Sequence, residues 1–86
     1  MVVEDYMNVC GRGWLIIVYG EGLNPFDIHC EDKIVRGDTI FTITGVERTR
    51  YDCWWKHRAG LILSPNNRVP DFFEVGQEIE IISKGV

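Results

Sequence analysis

A short turn bounded by glycines, between two strand-like runs, constrains this fold more than any other feature. Residues 6–10 and 14–19 are rich in β-branched, aromatic and other apolar side chains, and Gly11-Arg12-Gly13 separates them. Three-residue loops that contain glycine are typical of β-hairpins, because at least one loop residue must adopt a positive φ. The sequence therefore predicts a β-hairpin over residues 3–20 as the start of an all-β fold.

Strand signals recur along the rest of the chain. Residues 39–44 favour a strand after the turn at 36–38, and Gly45 interrupts that run where a bulge or a bend would fit. A further apolar run covers residues 59–63, and Glu and Ile alternate over residues 78–81. At typical strand lengths this pattern predicts about six or seven strands.

The connection between residues 20 and 33 has two interpretations. Asn24 as an N-cap, Pro25 at the first helical position and Asp27 in the first turn predict a short helix. The alternation of apolar residues 26, 28 and 30 would equally suit an edge strand with Pro25 at its start. We therefore expect at most one short helix in the chain.

Four separated motifs follow one another in a single order along most of the chain. They are Glu4-Asp5 with Gly11-Arg12-Gly13, then Arg36-Gly37-Asp38, Ala59-Gly60 and Gly76-Gln77. This order resembles the second, β-barrel domain of translational GTPases such as elongation factor Tu. The resemblance implies a small closed antiparallel β-barrel. Because the GTPase domain of that family has no counterpart in these residues, the resemblance also implies a binding role without catalysis.

The length and composition fit one domain over residues 1–86, with 45% hydrophobic and 26% charged residues. So small a domain buries roughly 60–65% of its unfolded surface, and a closed sheet or a homo-oligomer would stabilise it. The apolar run 14–19 is too short to span a bilayer and the N-terminus lacks a signal-peptide pattern, so we expect no membrane contact and a cytoplasmic location. Cys10, Cys30 and Cys53 form no Cys-x-x-Cys pair, and we expect reduced, mostly buried thiols.

The charge of the chain is unevenly distributed. The formal net charge of −4 disfavours a general nucleic-acid binder, because Lys and Arg supply most of the affinity for phosphates. Residues 48–58, however, contain four basic residues and only Asp52 as an acidic one, a charge of +3 that leaves −7 for the rest of the chain. One basic segment therefore lies in an otherwise acidic protein.

This basic aromatic segment, residues 48–58, is the best functional candidate. Trp and Arg are enriched at the energetic centres of protein interfaces, which favours a protein partner. Aromatic rings beside cations also suit RNA, in which bases stack and phosphates need neutralising, so a small RNA-binding barrel is the alternative. Filling of a barrel core by the same aromatic rings is a third, purely structural interpretation. The predicted binding residues are Arg48, Arg50, Trp54, Lys56 and Arg58, with Arg12 at the hairpin tip as either a turn residue or an anion contact.

Catalytic and cofactor motifs are missing from the sequence. There is no phosphate-binding Gly-x-x-x-x-Gly-Lys-Ser/Thr loop and no complete dinucleotide fingerprint. His29-Cys30, Cys53 and His57 could supply four zinc donors, but adjacent residues of a strand point to opposite faces. Cys53 as a nucleophile needs an exposed thiol, whereas the strand alternation predicts that it is buried. We therefore predict no catalytic residue, no metal and no cofactor.

Overall fold

The computed structural model describes residues 1–47 and 57–83, and these form one five-stranded antiparallel sheet in the order β1-β2-β5-β4-β3. The strands are β1 (Val2–Val9), β2 (Gly13–Tyr19), β3 (Lys33–Arg36), β4 (Thr39–Glu47) and β5 (Arg58–Ser64). A four-residue helix, α1 (Val69–Phe72), and the 3₁₀ turns Pro25–Asp27 and Asn66–Arg68 complete the described elements. The described chain is therefore mostly β with antiparallel strands, which confirms the predicted all-β fold in its general class.

The N-terminal hairpin of β1 and β2 forms as predicted. Gly11 and Gly13 both adopt positive φ, at 77° and 93°, and the N–H of Arg12 donates to the carbonyl of Val9 at 2.9 Å. These glycines carry the turn because residues with a Cβ rarely adopt such backbone angles. The predicted irregularity at Gly45 is also present, since the register between β4 and β5 shifts between Ile43 and Gly45.

The inner face of the sheet, defined as the face that carries the main core, packs around Phe41. The centre of this ring lies 5.6 Å from the ring centre of Phe72 and 5.0 Å from that of Phe73. Helix α1 and the residue after it therefore cover one end of the core. Burying aromatic side chains in edge-to-face contact contributes more than their area alone. Other fully buried side chains of this core are Val3, Ile16, Val18, Ile34, Ile43, Leu61, Leu63 and Val69.

The opposite, outer face of the sheet is also apolar at its centre. Leu15, Ile17 and Ile62 form a second cluster there, each 6% exposed, with Val9 packed against it. Both β2 and β5 are therefore buried on their two faces. This burial explains why the two strands have nearly continuous apolar sequences where a half-exposed strand would alternate.

Residues 77–82 touch both edges of the sheet without forming a continuous strand. The N–H of Val3 donates to Gln77 and that of Ile79 to Met1, which creates an isolated bridge to β1. Further along, Ile82 makes a second isolated bridge to β3. Among the described residues there are thus five strands instead of six or seven, and no continuous ladder closes them into a barrel.

The sequence predicts one of the short helical elements of the chain and not helix α1. After Asn24 the chain forms a single 3₁₀ turn in which the side-chain oxygen of Asn24 accepts the N–H of Phe26 at 3.0 Å. The helix prediction is therefore confirmed in its shortest form, and the edge-strand alternative is wrong. Helix α1 lies far along the chain from the connection 20–33, where the sequence predicts the one short helix. Val69 anchors this helix because it is fully buried, and Pro70 is compatible with a first helical turn.

Candidate functional site

Arg58, the described residue of the predicted binding segment, is held by neighbours within the chain. Its Nε and Nη2 atoms donate to Glu4 at 2.8 and 3.0 Å, and its guanidinium lies 4.9 Å from the ring centre of Tyr19. The hydrogen bond to Glu4 raises the pKa of Arg58 above its ordinary value. A paired, planar guanidinium stacked on a ring is a rigid contact between β1, β2 and β5. Its charge is already balanced inside the chain.

Arg12 at the hairpin tip is paired in a similar way. Its guanidinium forms an ion pair with Glu47 at the end of β4, and the two side chains are 51% and 36% exposed. Glu47 is opposite Gly60 on β5, and Gly60 is opposite Ile17 of the outer-face cluster on β2. The ion pair of Arg12 and Glu47 therefore lies on the outer face. Arg12 therefore links two elements of the sheet in addition to its place in the turn.

The other predicted binding residues, Arg48, Arg50, Trp54 and Lys56, lie outside the described residues, as does Cys53. Of the predicted set, the structure therefore describes only Arg12 and Arg58. The two described cations of the predicted site each have a carboxylate partner.

Strand β3 has backbone groups that face away from the sheet. A two-residue turn joins Arg36 to Thr39, and in such a hairpin hydrogen-bonded and non-hydrogen-bonded pairs alternate from the turn. Arg36 and Ile34 therefore bond to β4, whereas the N–H and C=O of Lys33 and Val35 point outward. Lys33 exchanges two hydrogen bonds with Ile82, at 2.9 and 2.7 Å. Val35 makes no such bond to any residue that the structure describes.

A groove lies directly beside this unused edge. It has a volume of about 600 Å³, with Val35 and Arg36 of β3 on one side and Glu78, Glu80 and Ile82 of the C-terminal segment on the other. We call it the edge groove. It arises because residues 77–79 pair with β1 and only Ile82 reaches β3, so the two edges separate between these contacts.

An exposed apolar patch borders the edge groove. Val35 and Ile40 are directly opposite each other on β3 and β4, and they are 48% and 56% exposed. Ile82 is 52% exposed and forms a bridge with Lys33. Lys33 is two residues before Val35, so the side chains of Lys33 and Val35, and that of Ile82 opposite Lys33, project from the same face of the sheet. We call Val35, Ile40 and Ile82 the exposed patch. Three apolar side chains concentrated at a sheet edge are more informative than the same residues scattered over a surface.

The exposed charge at the edge groove is mainly acidic. The side chain of Glu78 is 83% exposed and lies 3.9 Å from the amino nitrogen of Met1, and Glu80 is exposed as well. Arg36 is directed differently, since its guanidinium lies 5.9 Å from the ring centre of Phe73 and its Nε is buried. That Nε has no hydrogen-bond partner among residues 1–47 and 57–83.

The described cysteine side chains do not line the edge groove. Cys10 and Cys30 are free and exposed, which corrects the prediction of mostly buried thiols, because both lie in connections and not on a core-facing strand position. Within residues 1–47 and 57–83 no three His, Cys, Asp or Glu side chains are grouped so as to hold a metal ion. None of the helices described is long and apolar enough to cross a membrane.

The edge groove was not predicted from the sequence, although a signal for it exists. Val35 and Ile40 are equally spaced on either side of the Gly37-Asp38 turn, so hairpin pairing alone places two apolar side chains opposite each other. What the sequence does not give is the separation of residues 78–80 from β3.

No family model, no curated protein sequence and no solved structure matches the chain.

Proposed function

We propose that this protein is a non-catalytic interaction module that binds a protein partner. The observation that carries the proposal is the exposed patch beside the edge of β3, where Val35, Ile40 and Ile82 are each about half exposed and the backbone of Val35 bonds to no described residue across that edge. Covering apolar side chains is favourable by about 25 cal/mol for each Å² removed from water. A sheet edge with unused backbone groups adds directional hydrogen bonds to that contact.

The proposal includes a barrel related to the second domain of translational GTPases, with residues 77–82 joining the two edges of the sheet. Support comes from the order of the glycine motifs and from the bonds of these residues to Val3 on one edge and Lys33 on the other. In a small domain such closure reduces the number of exposed strand edges. The edge groove is then the gap left by an incomplete closure.

The basic aromatic segment remains a second proposed contact surface for a protein. Its composition supports this role, because Arg and Trp dominate the energetic centres of interfaces. Arg58 is the last residue of this segment and the first of β5, and its contacts with Glu4 and Tyr19 fix that end of the segment to the sheet. We place Arg48, Arg50, Trp54 and Lys56 in this second surface.

The RNA-binding barrel is the alternative function, and the charge of +3 on residues 48–58 is the observation that favours it. Arg12 and Arg58 weigh against it, because each already has a carboxylate partner and offers less charge to a phosphate. The dependence of binding affinity on salt concentration distinguishes the RNA-binding function from the protein-binding one. Binding to RNA weakens steeply with ionic strength through counterion release, whereas binding through an apolar patch is much less sensitive.

The test is affinity capture from native extract by the full chain, with and without nuclease. We expect a protein partner that resists nuclease and whose capture falls about tenfold with Ile40→Lys, a change at an exposed position of the patch. Val75→Lys is the matched control, because Val75 is 63% exposed and lies outside the edge groove. Arg50→Glu with Lys56→Glu tests the basic segment separately. Capture that is lost with nuclease, or that Ile40→Lys and Val75→Lys leave equally intact, would contradict the proposal.

A further inference from the structure

We propose that the edge groove binds an extended, basic peptide segment of the partner, which adds as a strand beside β3. This inference rests on the proposed function and specifies the chemistry of the partner. Four observations support it: the backbone groups of Val35, which bond to none of the described residues across this edge, the adjacent edge groove, the exposed patch, and the acidic side chains of Glu78 and Glu80.

The hydrogen-bonding pattern of β3 gives the orientation of the added strand. Lys33 already exchanges a reciprocal pair of hydrogen bonds with Ile82, so this edge accepts an antiparallel neighbour. Val35 is the next residue whose N–H and C=O point the same way. A peptide residue opposite Val35 can therefore both donate to its C=O and accept from its N–H, as in peptide recognition by strand addition.

The exposed patch gives the side-chain requirement. Alternate side chains of an added strand project to the same face. A peptide side chain that projects to the face carrying Val35 and Ile82 would lie against both of them. An apolar residue at that position would reduce the exposure of both. The volume of about 600 Å³ lies within the range of sites that hold small ligands, which suits a short peptide stretch better than a folded domain.

The charge on the far side of the edge groove favours a basic peptide. Glu78 and Glu80 are both exposed, and the chain as a whole carries −4. Among the described residues, the cations nearest the groove are the Met1 amino group near Glu78, Lys33 and Arg36. The Nζ of Lys33 donates to the hydroxyl of Thr42 on β4, and the guanidinium of Arg36 lies over Phe73. Lys or Arg side chains on alternate peptide positions would therefore meet a carboxylate, and Glu or Asp would be repelled.

A second copy of this chain is a less suitable occupant. Symmetric pairing of two β3 edges would bring two acidic walls, each with Glu78 and Glu80, toward each other, which disfavours association. The peptide also needs room for one strand only, whereas a second copy brings its own C-terminal segment to the same gap.

The experiment uses the full chain and a fluorescent peptide of about eight residues in which Lys and Val alternate. One comparison peptide replaces Lys by Glu, and another carries N-methyl groups on alternate residues, which removes donors without changing the protein. We expect the Lys–Val peptide to bind and to slow hydrogen exchange at the Val35 amide. N-methylation should weaken binding about tenfold, as should Glu78→Lys with Glu80→Lys, whereas Glu74→Lys outside the edge groove should not.

Failure of the inference can be told apart from failure of the proposed function. If N-methylation does not weaken binding, or if Val35 exchange is unchanged when the peptide binds, strand addition at this edge is wrong. The proposed function still stands in that case if Ile40→Lys abolishes capture of the natural partner. If Val35 is protected without peptide and sedimentation gives a concentration-dependent dimer, pairing with a second copy replaces the peptide.

Discussion

The side chain of Asn66 lies against the α-carbon of Gly13, so the first residue of β2 has no space for a side chain. A Cβ built on Gly13 would lie 2.8 Å from Cγ and 3.2 Å from Cβ of Asn66. The contact links the 3₁₀ turn Asn66–Arg68 to the start of the hairpin's second strand.

Gly13→Ala should destabilise the protein by about 2–4 kcal/mol, because it combines a strained positive φ with a collision in a packed contact. Gly11→Ala is the matched control. Gly11 has a comparable φ of 77°, but no atom lies within 4 Å of its built Cβ, so the loss there should be about 1–2 kcal/mol. Urea denaturation of the two variants measures the difference. Equal losses would mean that Asn66 moves aside without cost.

Glu4→Gln should lower the melting temperature by removing the charge that Arg58 binds through two hydrogen bonds. The raised pKa of Arg58 gives stability that is complete below its unfolded pKa and is lost only as the pH rises through the folded value. Both values are strongly alkaline. Arg58 stays protonated at both about pH 6 and about pH 9, so the fall in melting temperature on Glu4→Gln should be the same at the two pH values. Melting curves at these two pH values, with Glu74→Gln as an exposed control, test this; an unchanged melting temperature would show that the pair contributes nothing.

How far the fold follows from the sequence differs between its two halves. The hairpin at Gly11-Arg12-Gly13 and the bulge at Gly45 were predicted because glycine and strand-forming residues act locally. The alternation of Glu and Ile after Gly76 also predicts an extended segment, but the partners of that segment lie at opposite edges of the sheet. Long-range pairing decides them, and no local pattern specifies it.

The candidate site was predicted less well, for a related reason. The charge of Arg58 favours a binding role, but in the fold Glu4, 54 residues away in sequence, accepts its hydrogen bonds. Ile40 was assigned to a strand correctly, yet alternation does not say which face of β4 is covered. The arrangement of the strands, and not the local sequence, therefore determines that the side chain of Ile40 is exposed.

Cys10 and Cys30 should react with iodoacetamide in the native protein, because both thiols are exposed and neither is in a disulfide. Cys10 should react faster, since the Sγ of Cys30 donates a weak hydrogen bond to the carbonyl of Thr44 at 3.7 Å. Mass spectrometry of digests taken over time gives both rates, and Cys10→Ser and Cys30→Ser assign them. Alkylation of either residue only after denaturation would contradict the described positions of these connections.

Ile82→Pro should separate the C-terminal segment from β3. The N–H of Ile82 donates to the carbonyl of Lys33 at 2.7 Å, and proline removes this donor while it leaves the carbonyl of Lys33 without a partner on that edge. We expect a loss of about 1–3 kcal/mol in unfolding free energy. Hydrogen exchange at the Lys33 amide, which donates to Ile82, should become faster at the same time.

Ile82→Ala is the matched control for this change, because it keeps the backbone donor and removes only a side chain that is 52% exposed. It should leave both the stability, within about 0.5 kcal/mol, and the exchange at Lys33 unchanged. If both variants lost stability equally, the side chain of Ile82 and not its backbone bridge would hold this segment. If neither lost stability, the join between the two sheet edges would depend instead on Ile79, which is 7% exposed and belongs to the main core.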